Sequence, residues 1–306
     1  MRSIFLLITM FSVTVPIQAQ TPKVTSGSIK RLTNFPSKYV DTRNIDIWLP
    51  DGYSNKKKYP VLYMHDGQML FDSSITWNHQ AWEVDEVLGK LFKGHKTKEC
   101  IVVGIWNSGV NRDIDYVPQK PFETIPSAQQ DSLLQLKKPD GSPAFSGKVR
   151  SDDYLRFLVT EIKPYIDKNF STLKNRKNTF IVGSSKGGLI SLYAICEYPA
   201  VFGGAACLST HWTGVYTADN NPIPESIFKY MANHLPSPES HRIYFDYGTE
   251  TLDRLYEPFQ LKVNMIMKTK GYTAKNWITK KFEGENHTEK AWNKRLHIPM
   301  LFLLGK

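Results

Sequence analysis

The sequence predicts one α/β domain: a mostly parallel central sheet, antiparallel strands at its N-terminal edge, and helices on both faces. Three observations lead there. From Tyr59 onward, apolar β-branched runs alternate with helical periodicities, the pattern of strand–helix crossovers. Two earlier strand-like runs, at 29–32 and 44–49, have no helix between them, which suits an antiparallel edge. The run Asn178 to Val182 breaks at Gly183-Ser184-Ser185-Lys186-Gly187-Gly188, and a helical pattern follows. G-x-S-x-G at a strand-to-helix turn holds its central residue in strained dihedrals with the side chain clear of the backbone. Ser185 is therefore the candidate nucleophile. A phosphate-binding turn fits less well, because Lys186 precedes the glycine pair instead of following it.

The chain has 306 residues, 41% of them hydrophobic, ample for one large core. Residues 1–19 stand outside that fold. Arg2, an apolar stretch from Ile4 to Phe11 and a small-residue exit at Ala19 form the pattern of a cleaved export signal. Cleavage would leave residues 20–306 in a periplasmic or secreted protein. No later apolar run is long enough to cross a membrane. The formal charge is +10, or +9 without Arg2. The lysines are scattered and no nucleic-acid motif accompanies them, so a solvated surface is expected and not a nucleic-acid partner. Cys100, Cys196 and Cys207 lie in apolar contexts that suit buried free thiols, and the sequence leaves a Cys196–Cys207 pair open.

The elements follow in order. Residues 21–28 are a loose polar lead-in, and 59–65 is an internal strand ended by Asp66-Gly67-Gln68. Helical spacing runs over 81–92, and 100–106 is a buried strand. Residues 112–118 read as loop. About 119–150 is polar, weakly periodic and rich in Pro, Ser and Gln: a surface insertion suited to a partial lid. A strong amphipathic helix covers 152–170. Strands at 202–208, 242–247 and 276–282 and helices at 255–268 and 289–304 complete the pattern, with a second excursion at 209–240. Open α/β sheets bind ligands beyond their carboxyl edge, where both insertions fall.

A serine hydroxyl needs a base, and the base needs an orienting acid. In this architecture both follow the nucleophile in the chain, acid before histidine. Of the later histidines, His287 directly follows a strand in a loop able to reach Ser185. His297 lies inside a helix and His241 before a strand. His211 follows a strand but has no acid between it and Ser185 except the helical Glu197. The acid should leave the preceding strand. Asp246 lies within that strand, whereas Asp253 and Glu250 lie beyond Gly248. Asp253 is preferred, and Glu250 stays open as the alternative. Charge developing on an ester carbonyl oxygen needs aimed amide donors. These are the backbone N–H of Lys186 and one from Gly67 or Gln68, with Gln68 preferred. His65 and Asp66 have no second ligand pair at metal spacing, so no metal and no cofactor are expected. Trp77, Trp82, Trp106, Trp212 and Tyr216 fall on or near the loops of the active edge. Trp106, Trp212 and Asp66 are the candidate substrate contacts.

Together these motifs resemble the "Putative esterase" family of α/β-hydrolases, which includes feruloyl and acetylxylan esterases, enterochelin esterases, S-formylglutathione hydrolase and mycolyltransferases. The resemblance rests on Tyr63 to Gln68, Val103-Gly104-Ile105 with Arg112 to Pro118, Gly183 to Gly188, Gly248-Thr249-Glu250 with Asp253, and Asn286 to Glu289 with Trp292. It runs from about Lys38 to the end and covers the two insertions least. It implies an α/β-hydrolase fold and a serine esterase with Ser185, His287, a following acid and two oxyanion amides. Lys186 departs from the apolar residue common at its position, which leaves its backbone role intact. Asp253 lies farther from Gly248 than the common Gly-x-x-Asp spacing. With export, an acetyl or feruloyl ester on plant polysaccharide is the expected substrate. A siderophore lactone, or transfer to another alcohol instead of water, is the alternative, and a non-catalytic binding module the least favoured.

Overall fold

The computed structural model describes residues 20–217 and 219–306, so the expected export signal at 1–19 lies outside the described residues. One sheet contains β1 (Ser28–Phe35), β2 (Arg43–Leu49), β3 (Val61–His65), β4 (Ile101–Ile105), β5 (Thr179–Ser184), β6 (Gly204–Leu208), β7 (Arg242–Gly248) and β8 (Trp277–Phe282). Their spatial order is β1-β2-β4-β3-β5-β6-β7-β8. β1 and β2 are antiparallel to their neighbours, and all other pairs are parallel. The helices are α1 (Val84–Lys93), α2 (Arg112–Tyr116), α3 (Gln119–Glu123), α4 (Ser127–Leu134), α5 (Ser151–Phe157), α6 (Lys163–Asn169), α7 (Lys186–Glu197), α8 (Ile223–His234), α9 (Glu257–Thr269), α10 (Glu289–Arg295) and α11 (His297–Leu304).

Successive strand residues point to opposite faces, and both faces are covered. Val61, Tyr63, Val103 and Ile181 enter one core, while Leu62, Met64, Val102 and Phe180 enter the other. The central strands are accordingly buried throughout. The two edge strands are not. β1 carries Lys30 and Arg31, and β8 carries Lys280 and Lys281, charges that discourage further pairing at an edge.

This topology fixes where a site can form. β3 pairs with β4 on one side and β5 on the other, so the chain steps outward and then crosses back. Strand order reverses at β3, which brings the carboxyl ends His65 and Ser184 onto adjacent strands. A crevice opens beyond such a reversal.

Four sequence expectations change. Residues 112–116 are the helix α2, not loop. Residues 119–150 carry α3 and α4 and bury Phe122, Ile125, Leu133 and Phe145 in the main core. The long helix at 152–170 contains a π turn at Leu158–Ile162. Pro164 lacks the N–H that would meet the Thr160 carbonyl, so the ladder must adjust there. The closing helix breaks at Leu296 between α10 and α11, because Pro299 can give no hydrogen bond to the Arg295 carbonyl.

Leu62 is fully buried at the centre of the sheet. Leu62→Ala should lower the unfolding free energy by about 2–5 kcal/mol in urea titration, and a smaller loss would show that the core on that face collapses around the gap.

Candidate active site

β5 passes into α7 through one residue. Ser185 has φ 57° and ψ −126°, a strained conformation for a residue with a side chain. Its N–H donates to Leu208 O at 2.9 Å, and its carbonyl accepts His211 N–H at 3.1 Å, which ties the turn to the end of β6. The bend is possible only with a bare backbone beside it. A Cβ on Gly183 would lie 2.5 Å from the Gly187 carbonyl carbon. Ser185 thus stands half-buried at the N-terminus of α7, where the helix dipole favours negative charge.

The loops after β7 and β8 meet above it. His287 Nδ1 lies 2.5 Å from Asp253 Oδ1. Asp253 is fully buried in the 3-10 turn Thr251–Leu255, and its other oxygen accepts the Gly248 N–H at 2.6 Å and the Ser209 hydroxyl at 2.5 Å. Gly248 must be glycine, since a Cβ there would sit 2.1 Å from Glu285 O. The two loops are further joined by His287 N–H on Thr251 Oγ1 at 2.9 Å. Thr288 caps α10 immediately afterward, so the imidazole sits on an anchored backbone. Burial alone would raise the Asp253 pKa. The hydrogen bond and charge of His287, with the Ser209 and Gly248 donors, outweigh it and hold the carboxyl below its ordinary value. Glu250, the alternative acid, is exposed at the start of the same turn, and among the described residues its side chain has no hydrogen bond to His287.

Ser185 and His287 line one cleft of about 560 Å³. No hydrogen bond joins the Ser185 hydroxyl to His287 among the described residues, as is common in unliganded sites whose geometry tightens on substrate. Gln68 and Lys186 line the same cleft. Their amides stand at the start of the 3-10 turn Gly67–Met69 and of α7, and among the described residues neither donates to another group. The arrangement therefore offers a hydroxyl, an imidazole backed by a carboxylate, and two free N–H groups around one space. That set can perform acyl transfer.

The cleft wall is charged and internally paired. Asp66 accepts Arg112 Nε at 2.7 Å and the outer guanidinium nitrogen at 2.8 Å, and Asn107 Nδ2 at 2.7 Å. Lys186 Nζ lies 2.7 Å from Asp113, which also pairs with Lys138 at 2.8 Å. Burial pulls the Lys186 ammonium down to about 8, against the opposing pull of Asp113. His65 is pushed down to about 3 by burial, with Nδ1 on the Tyr154 hydroxyl at 2.7 Å. Burial likewise holds His211 well below its ordinary value, with Nδ1 on the Tyr256 hydroxyl at 2.7 Å. Burial thus favours the uncharged form of both rings. Among the described residues no cluster of three or more His, Cys, Asp or Glu could hold a metal, and all three cysteines are buried and free.

Two candidate substrate contacts are corrected. Trp212 is fully buried against the Phe228 and Phe245 rings. Trp106 turns away from the cleft, its Nε1 on Asp46 at 2.8 Å and its ring beneath the Arg31 guanidinium. Asp66 does line the cleft, but Arg112 and Asn107 occupy both its oxygens, which makes it a strut of the wall. Aromatic surface comes instead from Trp77, 82% exposed, and Tyr216. The partial-lid expectation for 119–150 also fails: none of those residues lines the cleft, and the rim is built from 77–82. Sequence reasoning missed Asn107 and Ser209. Each follows a strand end closely, and that position was the available signal.

The sequence profile of the family described as "Putative esterase" matches residues 38–301. The chain belongs to this family. The esterase is 26% identical over 273 residues to the "Uncharacterized protein YbbA" of Bacillus subtilis, covering 86% of this chain and 93% of that one. It is 27% identical over 165 residues to the ferri-bacillibactin esterase BesA of the same organism, covering 50% of this chain and 49% of the relative. A solved ferulic acid esterase of the anaerobic fungus Anaeromyces mucronatus superposes with a TM-score of 0.64 at 22% identity, covering 96% of each chain. The fold is that of the α/β-hydrolases, and the protein is a carboxylic ester hydrolase.

The lowered Asp253 pKa has a stability consequence of fixed sign. The unfolded carboxyl takes up its proton at higher pH than the folded one, so this contribution is present above about pH 4 and lost as pH falls through the folded value. In urea unfolding across pH, Asp253→Asn should remove that part of the acid limb. A parent-like acid limb in the variant would mean that the Asp253–His287 contact does not persist in solution.

Proposed function

We propose that the protein is an exported serine esterase that cleaves carboxylic esters through an acyl-enzyme, with acetyl or feruloyl groups on plant polysaccharide as its substrates. The observation that carries the reading is Ser185, raised on a strained turn, sharing a cleft with an imidazole whose far nitrogen is held by a buried carboxylate. His287 Nε2 takes the Ser185 proton as Ser185 Oγ attacks the ester carbonyl. The Gln68 and Lys186 amides hold the resulting oxyanion, and His287 returns the proton to the leaving alcohol. Water then repeats the sequence and releases the acid. Asp253 keeps the Nδ1–H tautomer in place throughout.

Support for the substrate class comes from the cleft mouth. A tryptophan as exposed as Trp77 offers a flat face for sugar or phenolic rings, and the Anaeromyces structure is that of a ferulic acid esterase. A siderophore lactone is the second reading. The match to the ferri-bacillibactin esterase favours it. Export rests on the pattern of residues 1–19.

Ser185→Ala and His287→Ala should each lower kcat by about 10⁴-fold or more with p-nitrophenyl acetate. If either retains parent-like turnover, the nucleophile or base is elsewhere. Asp253→Ala should be severely impaired and Glu250→Ala near parental; the reverse order would reassign the acid. A panel of acetyl-xylan, methyl ferulate and ferric enterobactin separates the substrate readings, because preference for the siderophore would displace the polysaccharide assignment. Product analysis with competing alcohols tests transfer against hydrolysis.

A further inference from the structure

Ser209 lies directly after β6, outside the Ser185–His287–Asp253 set, yet it is the hub of a fully buried polar network. Its hydroxyl oxygen accepts Trp292 Nε1–H at 2.9 Å and an Arg295 guanidinium N–H at 2.8 Å. Indole and guanidinium nitrogens are donors only. Two donors therefore occupy both lone pairs of the hydroxyl, and its single proton has one acceptor left, Asp253 Oδ2 at 2.5 Å. The backbone supports this placement. Ser209 has φ 42°, a left-handed conformation that only a surrounding network sustains in a non-glycine residue, and its N–H is held by Asp246.

The direction of that proton has a consequence at the imidazole. Asp253 Oδ2 already receives the Gly248 N–H at 2.6 Å, so the Ser209 proton completes its coordination. Oδ1 remains for His287 alone. Arg295, the nearest cation, does not take over this role. Its guanidinium is 3.0 Å from Asp246 and 3.9 Å from Asp253, with the Ser209 oxygen accepting from the same nitrogen. Trp292 also packs edge-on to the His287 ring at 5.0 Å, so one indole seats both the imidazole and the hydroxyl.

We infer that Ser209 is a positioning residue of the esterase: held as an acceptor by Trp292 and Arg295, it commits its proton to Asp253 Oδ2, fixes the carboxylate rotamer, and directs Oδ1 solely at His287 Nδ1–H. The inference rests on the assignment of Ser185, His287 and Asp253 given above. Ser209 touches no substrate and acts through Asp253. Its hydroxyl also stands between the Arg295 guanidinium and Asp253 Oδ2, which Arg295 approaches only to 3.9 Å. Without the hydroxyl, Asp253 loses one of three donors, and Arg295 gains a direct line to it.

The test compares Ser209→Gly and Ser209→Ala in the full chain. Glycine removes the hydroxyl and also relaxes the positive φ, so it keeps the test open should alanine fail to fold. Two readouts are taken: steady-state kinetics with p-nitrophenyl acetate, and the downfield proton resonance of His287 Nδ1–H, identified by its loss in Asp253→Asn. A merely structural role would not move that resonance in a folded variant. The expected result is a kcat lowered by about 10- to 100-fold with KM little changed, as for a lost hydrogen bond to a charged group, together with a displaced resonance. Parent-like kcat and an unmoved resonance in the folded variants, with Ser185→Ala inactive, would overturn the role of Ser209 alone. A fully active Ser185→Ala would instead overturn the underlying assignment, and this inference with it.

Discussion

The 2.5 Å contact between His287 Nδ1 and Asp253 Oδ1 is the constraint on which the rest of the cleft depends. It spans the loops after two neighbouring strands, and it requires a carboxylate with no exposed surface. Burying a lone carboxylate is costly unless hydrogen bonds replace its water. Here the Gly248 amide, the Ser209 hydroxyl and the imidazole replace it. Each replacement has its own requirement. The amide is available because residue 248 has no side chain to collide with Glu285. The hydroxyl is available because Ser209 accepts an unusual backbone conformation. The imidazole is available because Thr288 starts a capped helix right behind it.

The opposite wall obeys the same logic through α2. Its five residues supply three charges, each with a distant partner. Arg112 clamps Asp66 at the end of β3, and Asp113 takes Lys186 at the start of α7. Asp115 pairs with Arg43 at 3.0 Å and Arg150 at 2.8 Å, all largely buried. A helix of this length has little stability of its own. Its place is set by these ion pairs and by the burial of Ile114 and Tyr116. The end of β3 and the start of α7, which carry the candidate oxyanion amides, are thereby referenced to one short segment.

How much of this was legible in the sequence follows from the range of the interactions. The strands that form the sheet centre announce themselves as short, mostly apolar runs, because burial on both faces favours apolar side chains. The turn around Ser185 is legible because its glycines are adjacent in the chain. His287 and Asp253 are legible as loop residues after strands, but their pairing is not. Asp253 and Glu250 differ only in which way a 3-10 turn points them. Trp212 and Trp106 were misplaced for a related reason. Both sit at strand ends near the cleft, and only tertiary contacts decide whether such a ring turns into the core or into the opening. The segment 112–116 carries no helical periodicity to detect, since ion pairs to Asp66, Lys186, Arg43 and Arg150 hold it.

Trp77 has one more consequence. The chain contains seven tryptophans, and Trp77 is the one that stands in open water, while the others are buried or half-buried. An indole in that setting emits at longer wavelength than its sheltered counterparts and is reached first by a collisional quencher. The cleft mouth thus carries its own optical label, and occupancy of the opening can be followed by fluorescence in the unmodified protein.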